Sequence, residues 1–174
     1  MTRRDRLRRT ALLCLHSLRN LAFYRAAHEY PKTWNGKQFW ITANNALLDI
    51  GLLEWCKIFG DRRAKHDWRK SVADQETFLA ALLAHLRLTE QMFNEYIDEV
   101  RTYRDKFVAH LDEEDRMNIP NLAPVIKSAQ FLYQHLRVVE DDCNAFQDAP
   151  LDATIYFRSF MEEARAIYAS KTAA

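Results

Sequence analysis

Three glycines and four prolines in 174 residues leave this chain too few turn residues for a β architecture. Sandwiches and barrels need a turn roughly every ten positions. A doubly wound α/β fold is disfavoured as well, because no Val/Ile-rich run is bounded by Gly. The chain therefore reads as all-α, a compact bundle of five or six helices forming a single domain over 1–174. Its 48% hydrophobic and 28% charged residues are the balance of a folded globule rather than a disordered chain.

Periodicity locates the helices. Leu7, Ala11, Cys14, Leu15, Leu18, Leu21 and Ala22 recur at helical spacing over 2–29, and Pro31 stops the run. A loop is expected over 30–36. The next helix, over 37–59 with Gly60 as its stop, is apolar around much of its circumference (Trp40, Ala43, Leu47, Ile50, Leu53, Trp55) and is expected to be central. A polar connector over 61–71 carries Arg62, Arg63, Lys65, Arg69 and Lys70 against Asp61 and Asp67. Asp74 caps a helix to 86, and Thr89 caps another to 110 or 111. An acidic loop over 112–120 precedes helices over 124–146 and 152–170.

Several function classes drop out. With 25 Lys+Arg against 24 Asp+Glu, the chain has no global excess of positive charge, so any nucleic-acid contact must rest on a local patch. Cys14, Cys56 and Cys143 lack metal-ligand spacing and read as reduced thiols of a cytoplasmic protein. The six His (16, 28, 66, 85, 110, 135) contain no pair placed to bind a metal, so no metal and no cofactor are expected. No glycine-rich phosphate loop, nucleophile elbow or His-Glu-x-x-His is present. No apolar run approaches a membrane span. The run Ala11–Leu15 is ended by His16, Ser17 and Arg19, so it reads as amphipathic helix rather than leader.

One segment breaks the pattern. At 100° per residue, Arg104 falls inside the apolar stripe of Phe93, Ile97, Val100, Phe107, Val108 and Leu111. His110 lies on the border of that stripe, and Asp105 and Lys106 point toward solvent. A guanidinium in an apolar stripe must be paired, line a cleft or face a partner, because it does not lose its charge. A structural salt bridge to Asp49 or Glu54 is the competing explanation.

Arg104-Asp105-Lys106-Phe107-Val108-Ala109-His110 resembles the signature of the HEPN superfamily: arginine, a polar residue, then histidine after four to six positions. With Leu111-Asp112, Glu54–Gly60 and His66–Lys70, it looks like the branch named after an abortive-infection (Abi) U-type phage-defence protein. The resemblance covers much of 44–112. It implies a homodimeric helical bundle acting as a metal-independent endoribonuclease of a toxin–antitoxin or phage-defence system, with an antitoxin protein as partner. Arg104, Asp105 and His110 are then the catalytic residues, duplicated across a dimer cleft. Imidazole titrates near neutrality and can exchange protons with the 2′-hydroxyl and the leaving oxygen, while arginine grips phosphate oxygens. Lys106, Arg62, Arg63 and Lys65 are the candidate RNA contacts. Family members paired with nucleotidyltransferase antitoxins often carry Tyr two positions after the histidine. Asp112 stands there, so the likeness does not extend to control by adenylylation.

Two other readings stay open. The chain is a non-catalytic HEPN-like module binding RNA, a nucleotide or a protein, or a structural helical partner. Residues 90–115 carry nine acids against Arg101, Arg104 and Lys106, a net charge of −6 that is unfriendly to RNA unless the basic connector faces the same cleft.

Overall fold

Thr2 opens the first helix. Its hydroxyl accepts from Asp5 N at 3.1 Å while the Asp5 carboxylate accepts from Thr2 N at 3.2 Å, a reciprocal cap for two helix-start donors. α1 then runs Arg3–His28. The computed structural model describes residues 1–34, 37–109 and 118–172, with the backbone alone at 33–34, 107–109 and 171–172. After α1 come α2 (Pro31–Trp34), α3 (Gln38–Trp55), α4 (Gln75–Leu86), α5 (Glu90–Tyr103), α6 (Leu122–Val138) and α7 (Ala153–Thr172). No strand occurs among the described residues, and all these helices except the four-residue α2 are 12 residues or longer. The expected all-α bundle is what forms.

The predicted caps hold. The Asp74 carboxylate accepts from Thr77 N at 3.0 Å at the start of α4, and Thr89 Oγ1 accepts from Met92 N at 3.2 Å at the start of α5. The expected loop over 30–36 instead contains α2, because Pro31 has its φ preset for a first helical position.

The centre of the bundle is α1, not the 37–59 helix. α1 packs against α3, α6 and α7, and its buried residues include the small side chains Ala11, Cys14, Ser17, Ala22, Ala26 and Ala27. Small residues let several neighbours approach at once. α3 by contrast buries one stripe, Asn44, Leu48, Gly51, Leu52 and Trp55, and leaves Phe39 and Ile50 exposed. α1 and α3 meet closely where Ser17 Oγ donates to Gly51 O at 2.8 Å. A Cβ at Gly51 would lie 2.8 Å from Leu21 Cγ and Cδ2, so only glycine fits there without a shift. Trp55 Nε1 donates to Ser128 Oγ at 2.9 Å and ties α3 to α6.

Two helices end in wide turns. α3 continues as a π-helical turn over Cys56–Gly60, and α5 continues as another over Arg104–Ala109. The first packs on α5 and the second on α3, and Asp61 after the first meets Arg104 at the start of the second.

Candidate functional site

Arg104 is the first residue of the π turn that follows α5. Its side chain is 14% exposed. Nη1 donates to Asp61 Oδ2 at 3.0 Å, and Asp105 Oδ1 lies 2.7 Å from both Nε and Nη2. Burial on its own lowers the guanidinium pKa. The hydrogen bond to Asp105 and the charges of Asp61 and Asp105 outweigh it, and the group is held above its ordinary value.

These partners differ from those expected. Asp49 instead accepts from the Tyr103 hydroxyl at 2.9 Å, and Glu54 accepts from Lys57 Nζ at 3.1 Å. Asp61 reaches Arg104 because the chain leaves the first π turn directly beside the second. Asp105 is exposed, as expected, and its carboxylate also reaches Arg104.

A cleft of about 450 Å³ opens next to this ion pair. Its walls include Gly60, Arg62, Arg63, Arg69, Asn94 and Arg101. Asp61 lines it too, so one carboxylate belongs both to the cleft and to Arg104. Arg69 is fixed in three ways: its backbone N–H and its guanidinium both donate to the buried Asp67 carboxylate, and the guanidinium sits 4.6 Å from the Trp68 ring centroid. Arg101 Nη1 donates to Asp98 Oδ1 at 3.1 Å, while its Nε is buried without an acceptor. The stem of Arg101 crosses Gly60 so closely that a Cβ there would meet its Cγ at 3.2 Å.

The sequence-derived candidates thus fall into three groups. Arg104, Asp105, Arg62 and Arg63 lie at or beside one cleft. Lys106 follows on the same π turn, and Lys65 is exposed on the connector outside the cleft wall. His110 lies outside the described residues. Reading the sequence missed Arg101, Asn94 and the role of Asp61. Arg101 stands one helical turn before Arg104, and that spacing was the available signal.

Other chemistry is sparse. Burial pushes the Cys56 thiol up to about 12, so it stays protonated at neutral pH. No cluster of three or more His, Cys, Asp or Glu placed to hold a metal occurs among the described residues. Among them, no helix is long and apolar enough to cross a membrane. No family model, no curated protein and no solved structure matches this chain.

Proposed function

We propose that the chain is a metal-independent endoribonuclease of the HEPN type, working as a cytoplasmic homodimer in a toxin–antitoxin or phage-defence system with an antitoxin protein as its partner. The observation that carries this reading is the setting of Arg104. Two carboxylates orient it, and one of them lines an arginine-walled cleft. A guanidinium has five N–H donors. The bonds to Asp61 and Asp105 engage three of them, which leaves two to receive a phosphate beside the cleft.

In this mechanism the 2′-oxygen of a ribose attacks the adjacent phosphorus as its proton passes to one His110. The P–O5′ bond breaks, and a second His110, from the other protomer, protonates O5′. The products are a 2′,3′-cyclic phosphate and a 5′-hydroxyl. Arg104 stabilises the charge on the phosphorane, and Asp105 holds the guanidinium plane.

The ion pairs of Arg104 also favour a second reading, a non-catalytic HEPN-like module in which Arg104 braces the two π turns. An RNA cleavage assay in EDTA, run alongside thermal unfolding, separates the two. Catalysis predicts that His110→Ala loses about 10²–10⁴-fold in rate. Arg104→Lys also fails, since an ammonium lacks the planar fork. Arg104→Met keeps its midpoint within a few degrees, because Asp61 and Asp105 are half exposed and can rehydrate. Cleavage that survives His110→Ala, with a large loss of midpoint in Arg104→Met, leaves the bracing role.

A further inference from the structure

We propose that the cleft walled by Gly60, Arg62, Arg63 and Arg101 is a backbone subsite that holds two successive phosphates of single-stranded RNA beside Arg104. It rests on the reading of the chain as an RNA-acting protein and adds where the substrate lies and which side chains hold it.

The charges decide the class of ligand. The cleft presents four arginines against two aspartates. Asp98 is paired with Arg101, and Asp61 shares Arg104 with Asp105. Arg69 is likewise committed to Asp67. Arg62 and Arg63 differ: both are exposed and neither has an ion-pair partner among the described residues. Two adjacent uncompensated guanidiniums on the rim of a concave site suit two phosphodiesters of one strand. Arg69 and Arg101, each held by an aspartate, shape the wall without adding uncompensated charge. The buried Arg101 Nε, which has no acceptor, is a donor that a ligand oxygen could satisfy after a small rotation of the stem.

A volume of about 450 Å³ is that of a small-ligand site and takes about one nucleotide of a strand. The aromatic residue of the lining, Phe59, is 2% exposed and offers no stacking face. Binding therefore depends on charge and is indifferent to base sequence.

The test uses a labelled single-stranded oligoribonucleotide carrying 2′-O-methyl groups, which cannot be cleaved through the 2′-oxygen. Its affinity for the full chain is measured by fluorescence anisotropy between about 50 and 200 mM salt. Each phosphate contact on a single strand contributes roughly 0.7 to the slope of log K against log salt. The double variant Arg62→Ala/Arg63→Ala is expected to lose about tenfold in affinity and about 1.4 in slope. The double lysine variant at the same positions keeps the slope, and Arg158→Ala on α7 changes neither quantity. All these positions are exposed, so the fold is retained, as a far-UV spectrum checks. An unchanged slope in the double alanine variant overturns the subsite even if the protein cleaves RNA. Absence of any binding by the unmodified chain overturns it too. Binding that depends on Arg62 and Arg63, with no cleavage of unmodified RNA, keeps the subsite and removes the ribonuclease reading.

Discussion

Gly51 illustrates how one residue fixes the distance between two helices. In an isolated helix, alanine would be better than glycine by about 1 kcal/mol. Here the added methyl meets Leu21, whose side chain is fully buried and has nowhere to go. Overpacking of this kind costs about 1–3 kcal/mol, so it outweighs the propensity gain. Gly51→Ala is expected to lower the thermal midpoint by a few degrees, and a rise would show that α1 and α3 can separate freely. Nothing at position 51 in the sequence announces this, because the constraint comes from a crossing helix 30 residues earlier. The caps were legible for the opposite reason: Asp74 and Thr89 bond to backbone donors three residues away. Arg104 was legible as an anomaly, but its partner was not. Asp49 and Glu54 were sensible choices on a straight helix, and Asp61 wins because the chain turns back beside α5.

At the scale of elements, the sequence misleads where tertiary contacts cut a helix short. Periodicity carries the sixth helix to 146, yet α6 stops at Val138. Glu140 is the cause: its carboxylate, 4% exposed, accepts from Arg3 Nη2 at 2.9 Å, from Ala73 N at 2.9 Å and lies 3.2 Å from His135 Nε2. It joins the start of α1 to the segment before α4, and a continuing helix would carry it away from both. Asn144 then turns the chain with φ at 53°, in the left-handed region that asparagine tolerates. Burial alone raises the Glu140 pKa. The donors at Ala73, Arg3 and His135 outweigh it, and the carboxyl titrates below its ordinary 4.5. The stability it contributes is therefore present above that value and lost as pH falls through the lower, folded one. Glu140→Gln is expected to cost about 1.5–3 kcal/mol at neutral pH. The gap in midpoint between it and the unaltered chain should close below pH 4.5, as melting curves in acid would reveal. A constant gap would mean that Glu140 does not carry its charge in the folded state. The two π turns were equally hidden, since five or six residues of altered hydrogen bonding leave no periodic trace in a sequence.

For the molecule as a whole, the all-α bundle was legible because the scarcity of turn residues and the helical repeats are chain-wide signals. The identity of the central helix was not. The 37–59 segment has more large apolar residues, but enclosure went to α1, whose small residues admit more neighbours. Phe39 and Ile50 stay exposed on one side of α3, three turns apart. The dimer reading predicts twice the single-chain mass in light scattering at micromolar concentration. A single-chain mass for the unaltered protein contradicts the composite Arg104–His110 site. The central position of α1 has a further effect, on the order of events during synthesis. α3 follows α1 closely, but α6 begins more than 90 residues after α1 ends, and α7 comes later still. At about 5–20 residues per second, the surfaces that α1 turns toward those helices stay uncovered for several seconds on the ribosome. Contacts between such distant segments also slow folding, because a long loop must close before they reward it. Among the described helices, α1 is made before α3, α6 and α7 and is yet among the last to be fully enclosed.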